Sequence, residues 1–139
     1  MKTDPNCNFC RIIAGQMPCF KLLEDDETLA FMDIYPANDG HCLVVVKDHY
    51  PTLFEISDEA LAAVSRSVSR VGRALNRALS PVGLNLVQAN GPGAGQSVVH
   101  FHIHVIPRNR DDELKMNWSA KSGDPDAIAA IAEKIRTNL

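Results

Sequence analysis

The 139 residues, 45% hydrophobic and 22% charged, are enough for one domain with a core of its own, spanning 1–139. A formal net charge of -3 lacks the basic excess that draws proteins to nucleic acid without sequence preference. No apolar run approaches the ~20 residues that cross a bilayer and no signal-peptide core follows Met1, so the sequence predicts a cytoplasmic protein with neither nucleic acid nor membrane as partner.

Residues 1–19 form a short head that ends near Gly15 and Pro18 and carries the pair Cys7-Asn8-Phe9-Cys10. Lys21–Glu24 and Thr28–Asp33 predict two strands joined by the acidic turn Glu24–Glu27. A loop from Pro36 to Gly40 leads into Cys42–Val46, a mostly β-branched strand. Ser57 is a suitable N-cap for a long helix over Asp58–Leu79, whose Leu61, Val64, Val68, Val71 and Leu75 fall on one face. Arg66, Arg70, Arg73 and Arg77 lie mostly off that face, on the side expected to meet solvent. Leu84–Gln88 predicts another strand, and Gly91–Ser97 a glycine-rich loop. A strand over His100–Ile106 follows, ended by Pro107. The 110–139 tail is polar at first, then offers Asp124 as a cap and Pro125 as the first residue of a closing helix with Ile128, Ile131 and Ile135 on one stripe. Adjacent strands without crossover helices predict an α+β fold with an antiparallel sheet, one long helix and a C-terminal helix.

The chemistry concentrates in the run VVHFHIHVIPR. Alternation puts His100, His102 and His104 on one face of a strand and Phe101, Ile103 and Val105 on the other. An imidazole nitrogen can attack phosphorus and carry the transferred group briefly, which divides one difficult displacement into two. Histidines two apart lie ~6–7 Å from each other along a strand, near enough to face one phosphate. Gly95, Gln96 and Ser97 can supply backbone, amide and hydroxyl donors to the developing charge, since the glycines before the strand admit positive φ. Asp33 can accept from a ribose diol, and Phe31, Ile34 and Leu43 can wall a base. Cys7 and Cys10 have the spacing of a zinc pair, though C-x-x-C also serves redox chemistry. His49 and His100 would complete a Cys2His2 set, with His100 ~13 Å from His104 and the metal thus clear of the reacting phosphate. Cys19 and Cys42 fit as small buried thiols.

The run His100-Phe101-His102-Ile103-His104-Val105-Ile106 resembles the signature of the histidine triad family. Four further blocks occur in that family's order: Phe9–Ile13, Ala30–Ile34, Gly40–Val44 and Ala94–Val98. The resemblance covers roughly residues 7 to 108, and is to the bacterial nucleotide-binding branch. It implies a protomer whose sheet continues into that of a second copy, making a homodimer. It also implies hydrolysis or transfer at the α-phosphate of a purine nucleotide through a nucleotidyl-histidine. By motif position His102 is the nucleophile, His104 contacts phosphate and His41 supports the nucleophile's ring. Gln96 and Ser97 match phosphate and leaving-group contacts, and Asp33 the ribose-binding acid. Cys7, Cys10, His49 and His100 match a structural Zn2+ site, with no cofactor required for the chemical step. Three positions depart from the pattern: Val46 replaces a proline, Met32 a histidine found in some relatives, and Ala89 an asparagine for which neighbouring Asn90 is a substitute. Phosphoramidase activity on adenosine or guanosine 5′-phosphoramidates is the expectation. A dinucleoside polyphosphate hydrolase, or a nucleotide-binding interaction protein with incidental hydrolysis, are its rivals.

Overall fold

Ser57 opens the longest element of the computed structural model, which describes residues 1–139, by accepting the Ala60 N–H at its hydroxyl. The helix it caps spans Asp58–Leu79, as the apolar spacing predicts, and closes on Ser80 in the left-handed conformation. A shorter helix, Asn8–Ile13 (α1), precedes it, so the long helix is α2. The strands are Lys21–Glu24 (β1), Thr28–Met32 (β2), Cys42–Val46 (β3), Gly83–Val87 (β4) and His102–Arg108 (β5). They form one antiparallel sheet in the order β1-β2-β3-β5-β4, and the closing helix is Pro125–Arg136 (α3). No helix is long and apolar enough to cross a membrane.

Side-chain alternation gives the sheet two different faces. Ala30, Cys42, Val44, Val46 and Val105 pack with Phe101 against Val64, Val68, Val71 and Leu75 of α2. The opposite face presents Leu29, Phe31, Leu43 and Val45, closed by Phe9, Cys7 and Cys10 of the α1 segment. Register puts Val45 opposite His102 and Leu43 opposite His104, so these two histidines share the α1 face. Cys42 is the buried thiol expected, its pKa pushed up to about 11 by burial, while Cys19 is only half-buried.

Four elements differ from expectation. α1 escapes the sequence reading because it is six residues long and its N-cap, Cys7, makes no side-chain cap bond. β2 stops one residue short of Asp33, and β4 begins and ends one residue early. β5 begins at His102 rather than His100: the Phe101 N–H donates to the Tyr50 carbonyl, outside the ladder. It also runs through Pro107 to Arg108. The β3 pairing ends at Val105, so the proline falls where only β4 lies beside the strand.

Arg108 clamps the chain beyond β5. Its guanidinium donates to both Asp112 carboxylate oxygens at 2.7 Å, to Asn85 Oδ1 at 2.8 Å and to the Leu114 carbonyl. That contact holds the Asp112 carboxyl well below the usual carboxylate range. Asn38 donates to the Pro107 carbonyl and to Asp112, tying the loop before His41 to the same point. Gly40 occupies the gap between: at φ +93°, an added Cβ would stand 2.5 Å from a Leu79 methyl and 3.1 Å from the Pro107 ring. Asp124 and Pro125 start α3 as predicted, but its stripe of Ile128, Ile131 and Ile135 is more than half exposed. Trp118 is also exposed.

Leu75 is buried in the α2-facing core. Leu75→Ala is expected to lower unfolding free energy by about 2–5 kcal/mol, and Ile131→Ala by no more than about 0.5 kcal/mol, in urea titrations followed by circular dichroism.

Candidate active site and metal centre

The His100 imidazole is fully buried, and its Nε2–H donates to the Val46 carbonyl at 2.7 Å. That bond fixes the tautomer and leaves the Nδ1 lone pair aimed at two thiols, 3.5 Å from Cys7 Sγ and 3.6 Å from Cys10 Sγ. His49 Nδ1 lies 3.4 Å from Cys10 Sγ, and all four donor atoms are within 4.8 Å of one another. Tetrahedral zinc with ordinary bond lengths separates sulfur from nitrogen by about 3.5 Å, so this donor set fits the ion. The outer contacts fit as well, because the Asp4 N–H donates to Cys10 Sγ and Val46 orients the histidine. Burial pushes the Cys7 thiol up, and a cation among the donors would reverse that.

The same residue reaches the second histidine through its backbone. His102 Nδ1–H donates to the His100 carbonyl at 2.6 Å, which leaves Nε2 with its lone pair. Burial lowers the pKa of His102, against the opposing pull of the carbonyl and Asp33, and keeps the ring neutral. Phe9 packs edge-on to His102 and to His100, with ring centroids 5.1 and 5.9 Å away. The sequence marked Phe9 by its place between the two cysteines and at the head of a family block, but not as a neighbour of the histidines.

His104 completes the row, its ring centroid 4.9 Å from that of His102. His41, expected beside the nucleophile's ring, is bonded instead to His104: its Nε2 lies 2.8 Å from His104 Nδ1. The direction follows from the far side of the His41 ring, where Nδ1 accepts the Ala37 N–H at 2.9 Å. His41 in its neutral form therefore carries its proton on Nε2 and donates it, and His104 is left with a donor N–H at its own Nε2. One ring thus offers a lone pair and its neighbour a hydrogen. Asp33 lies against the same pair, with Oδ2 3.4 Å from His41 Nε2 and 3.9 Å from His104 Nδ1, while Oδ1 accepts the Tyr35 N–H.

The loop residues divide into builders and free groups. Gly91 and Gly95 adopt the positive φ expected of them. Gln96 is spent on the loop itself: its carbonyl accepts the Gly91 N–H and its amide donates to the Pro51 carbonyl. Asn90 accepts the Leu53 N–H at 2.7 Å and exchanges bonds with Gln88. Ser97 is exposed, five residues before His102. Of the three residues expected to wall a base, Ile34 is exposed, whereas Phe31 and Leu43 are buried in the cluster with Phe9.

A sheet that sets alternating imidazoles beside a glycine loop defines a class of phosphate-handling fold. A family model described as HIT domain matches residues 14–111, and the chain belongs to the HIT family. The crystal structure of a HIT family member from Bacillus subtilis superposes with a TM-score of 0.92 at 38% identity, covering 96% of this chain and 97% of that one. Adenosine 5′-monophosphoramidase hnt1 of Schizosaccharomyces pombe is 38% identical over 96% of this chain and 98% of its own. A Zn-bound histidine triad family protein from Mycobacterium smegmatis matches with TM-score 0.75 and 31% identity, over 95% of this chain and 97% of that chain.

Burial, with His102 and His41 adding like charge, pushes the pKa of His104 down to about 4 from an ordinary 6.5. The unfolded chain therefore takes up this proton first as pH falls. His104's contribution to stability is whole above pH 6.5 and is lost progressively as pH drops toward 4. Imidazole NMR titration is expected to show His104 neutral at pH 6, with unfolding free energy declining across that window.

Proposed function

We propose that this chain is a purine nucleoside phosphoramidase working through a nucleotidyl-histidine on His102. The observation that carries the reading is the 2.6 Å bond from His102 Nδ1 to the His100 carbonyl, which presents a neutral, unprotonated Nε2. That nitrogen attacks the α-phosphorus of an adenosine or guanosine 5′-phosphoramidate. The P–N bond to the leaving amine breaks, and the amine takes a proton from the Ser97 hydroxyl. Water then attacks phosphorus and returns its proton to Ser97, the bond to His102 breaks, and the nucleoside monophosphate leaves. His104 donates from Nε2 to a non-bridging oxygen, whereas the N–H groups of Ala94, Gly95 and Gln96 are already bonded to Gly91 and Pro92 within the loop. Asp33 takes the ribose diol and Ile34 lies beside the base, with Phe31 and Leu43 backing the site from the core. Gln96 and Asn90 act by holding the loop, not by touching phosphate.

Cys7, Cys10, His49 and His100 would hold a structural Zn2+, which when bound supplies folding energy and fixes His100. Since the His100 carbonyl takes the proton of His102, this centre would order the nucleophile without entering the reaction. The relative whose crystal structure is described as Zn-bound and the relative named as a phosphoramidase support both parts. The chain acts as one domain, 1–139, and as a homodimer in which β4 meets its counterpart. β4 is one edge of the sheet, β1 being the other, and exposes Leu84 and Leu86, the kind of strand that a second copy covers.

His102→Ala is expected to reduce turnover of an adenosine 5′-phosphoramidate at least about 10^3-fold while adenosine monophosphate still binds, as measured by calorimetry. Wild-type turnover of that substrate should exceed turnover of diadenosine polyphosphates; the reverse order would favour the polyphosphate hydrolase reading. Cys7→Ser should empty zinc from the protein in elemental analysis under reducing, chelator-free conditions and lower Tm, with a smaller effect on turnover in the fraction still folded.

A further inference from the structure

We propose that Asn38 and Asp112 are positioning residues: they hold the tip of loop 33–41 so that His41 keeps its proton on Nε2 and His104 keeps a donor N–H at its own Nε2. The loop closes at its base, where the Asp33 N–H donates to the His41 carbonyl at 3.0 Å. Between those ends residues 34–37 and 39 are exposed, and only Asn38 and Gly40 are half-buried. Asn38 is thus the one whose side chain ties the tip to the rest of the chain. Its Nδ2 donates to the Pro107 carbonyl and to Asp112 Oδ2, each at 2.9 Å. Both partners are acceptors only, which decides the end of the amide that faces them.

Asp112 is itself immobilised. Its side chain is only 4% exposed, and its Oδ2 also accepts the Arg108 Nε–H at 2.7 Å and the Asn109 N–H at 3.0 Å. Oδ1 accepts a second guanidinium N–H at 2.7 Å. A carboxylate gripped at both oxygens in this way cannot follow a moving partner, so Asn38 is bonded to a fixed point. The anchor stands one residue beyond the end of the family match at 111.

From Asn38 the constraint passes to the rings. The Asn38 carbonyl accepts the His41 N–H at 3.0 Å, and Ala37, the residue before Asn38, supplies the N–H that occupies His41 Nδ1. Pro36 stiffens the other side of Ala37, because its ring sets φ. Once the tip drifts, that N–H leaves and His41 can carry its proton on Nδ1. His41 Nε2 then becomes an acceptor, and His104 must donate to it from Nδ1, 2.8 Å away. His104 Nε2 is left with a lone pair where its hydrogen was. Asp33 Oδ2, 3.4 Å from His41 Nε2, opposes the exchange, so the two forms mix and neither replaces the other outright.

Where the proposed function holds, a bare His104 Nε2 repels the phosphate oxygen that its N–H would bind, and turnover falls with the fraction in that form. This consequence rests on the phosphoramidase reading; the tautomer does not.

Nitrogen-15 NMR of the imidazoles in the full-length protein near neutral pH reads the tautomer directly. The wild type is expected to show His104 protonated on Nε2 and bare on Nδ1. Asn38→Ala removes the tether and leaves the Arg108–Asp112 pair in place, whereas Asp112→Ala removes the anchor. Each should draw the two His104 nitrogen resonances toward one another, as mixed tautomers in exchange do, and lower kcat on an adenosine 5′-phosphoramidate about tenfold or more. Asn38→Ser and Asp112→Asn serve in place of an alanine variant that does not fold by circular dichroism. Wild-type His104 resonances in a folded variant would overturn the role of the residue replaced, even with a lowered Tm, because a merely structural tether would do that much. Shifted resonances with undiminished turnover would overturn the catalytic consequence alone. Shifted resonances in a protein whose wild type leaves the phosphoramidate intact would support the positioning and remove the phosphoramidase reading.

Discussion

A single backbone carbonyl, that of His100, joins the two chemical regions of this protein. It takes the Nδ1 proton of His102, while the side chain of the same residue is anchored between Val46 and the two thiols. The tautomer of the central histidine is therefore decided by a peptide group whose own position depends on the α1 segment. Without that acceptor, His102 would be free to turn and to carry its proton on either nitrogen. The carbonyl costs nothing in charge and leaves the ring neutral, which suits the nucleophilic role proposed for His102 better than a carboxylate partner would.

The sheet makes this arrangement possible by giving unlike work to its two faces. The face against α2 is built almost wholly from apolar side chains and holds the fold together. The opposite face is covered only by the small α1 segment, so imidazoles there are desolvated on one side and reachable on the other. Burial depresses the basicity of both His102 and His104, and His104 keeps partial exposure while His102 is buried. The tautomer relay from Ala37 through His41 to His104 runs across three neighbouring segments, each short.

What the sequence revealed was local, and what it concealed was long-range. Period-two alternation identified the histidine face, and a capped 3.6-residue period identified α2 to the residue, because those patterns are written in consecutive side chains. Asp124 and Pro125 marked α3 for the same reason. The start of β5 was hidden because Tyr50, far away in the chain, captures the Phe101 N–H. The pairing of His41 with His104 was equally hidden, since it depends on the register of β3 against β5. Gln96 and Asn90 were expected at the substrate, and nothing in the sequence signalled that their amides also bond to Pro51, Leu53, Gly91 and Gln88. Helix α1 left no trace beyond its cysteines, being too short for periodicity to register.

Gly40 shows how far a residue without a side chain can matter. It fills a slot bounded by the end of α2 and by Pro107, and the next residue along is His41. Evolution has in effect left a shim of zero thickness there: an added carbon would be strained at φ +93°, would crowd the Pro107 ring and would have to push the Leu79 methyl aside. Variation at this chemically silent position should thus be felt first at His41, which bonds to His104 on the adjacent strand, before it is felt in the stability of the core.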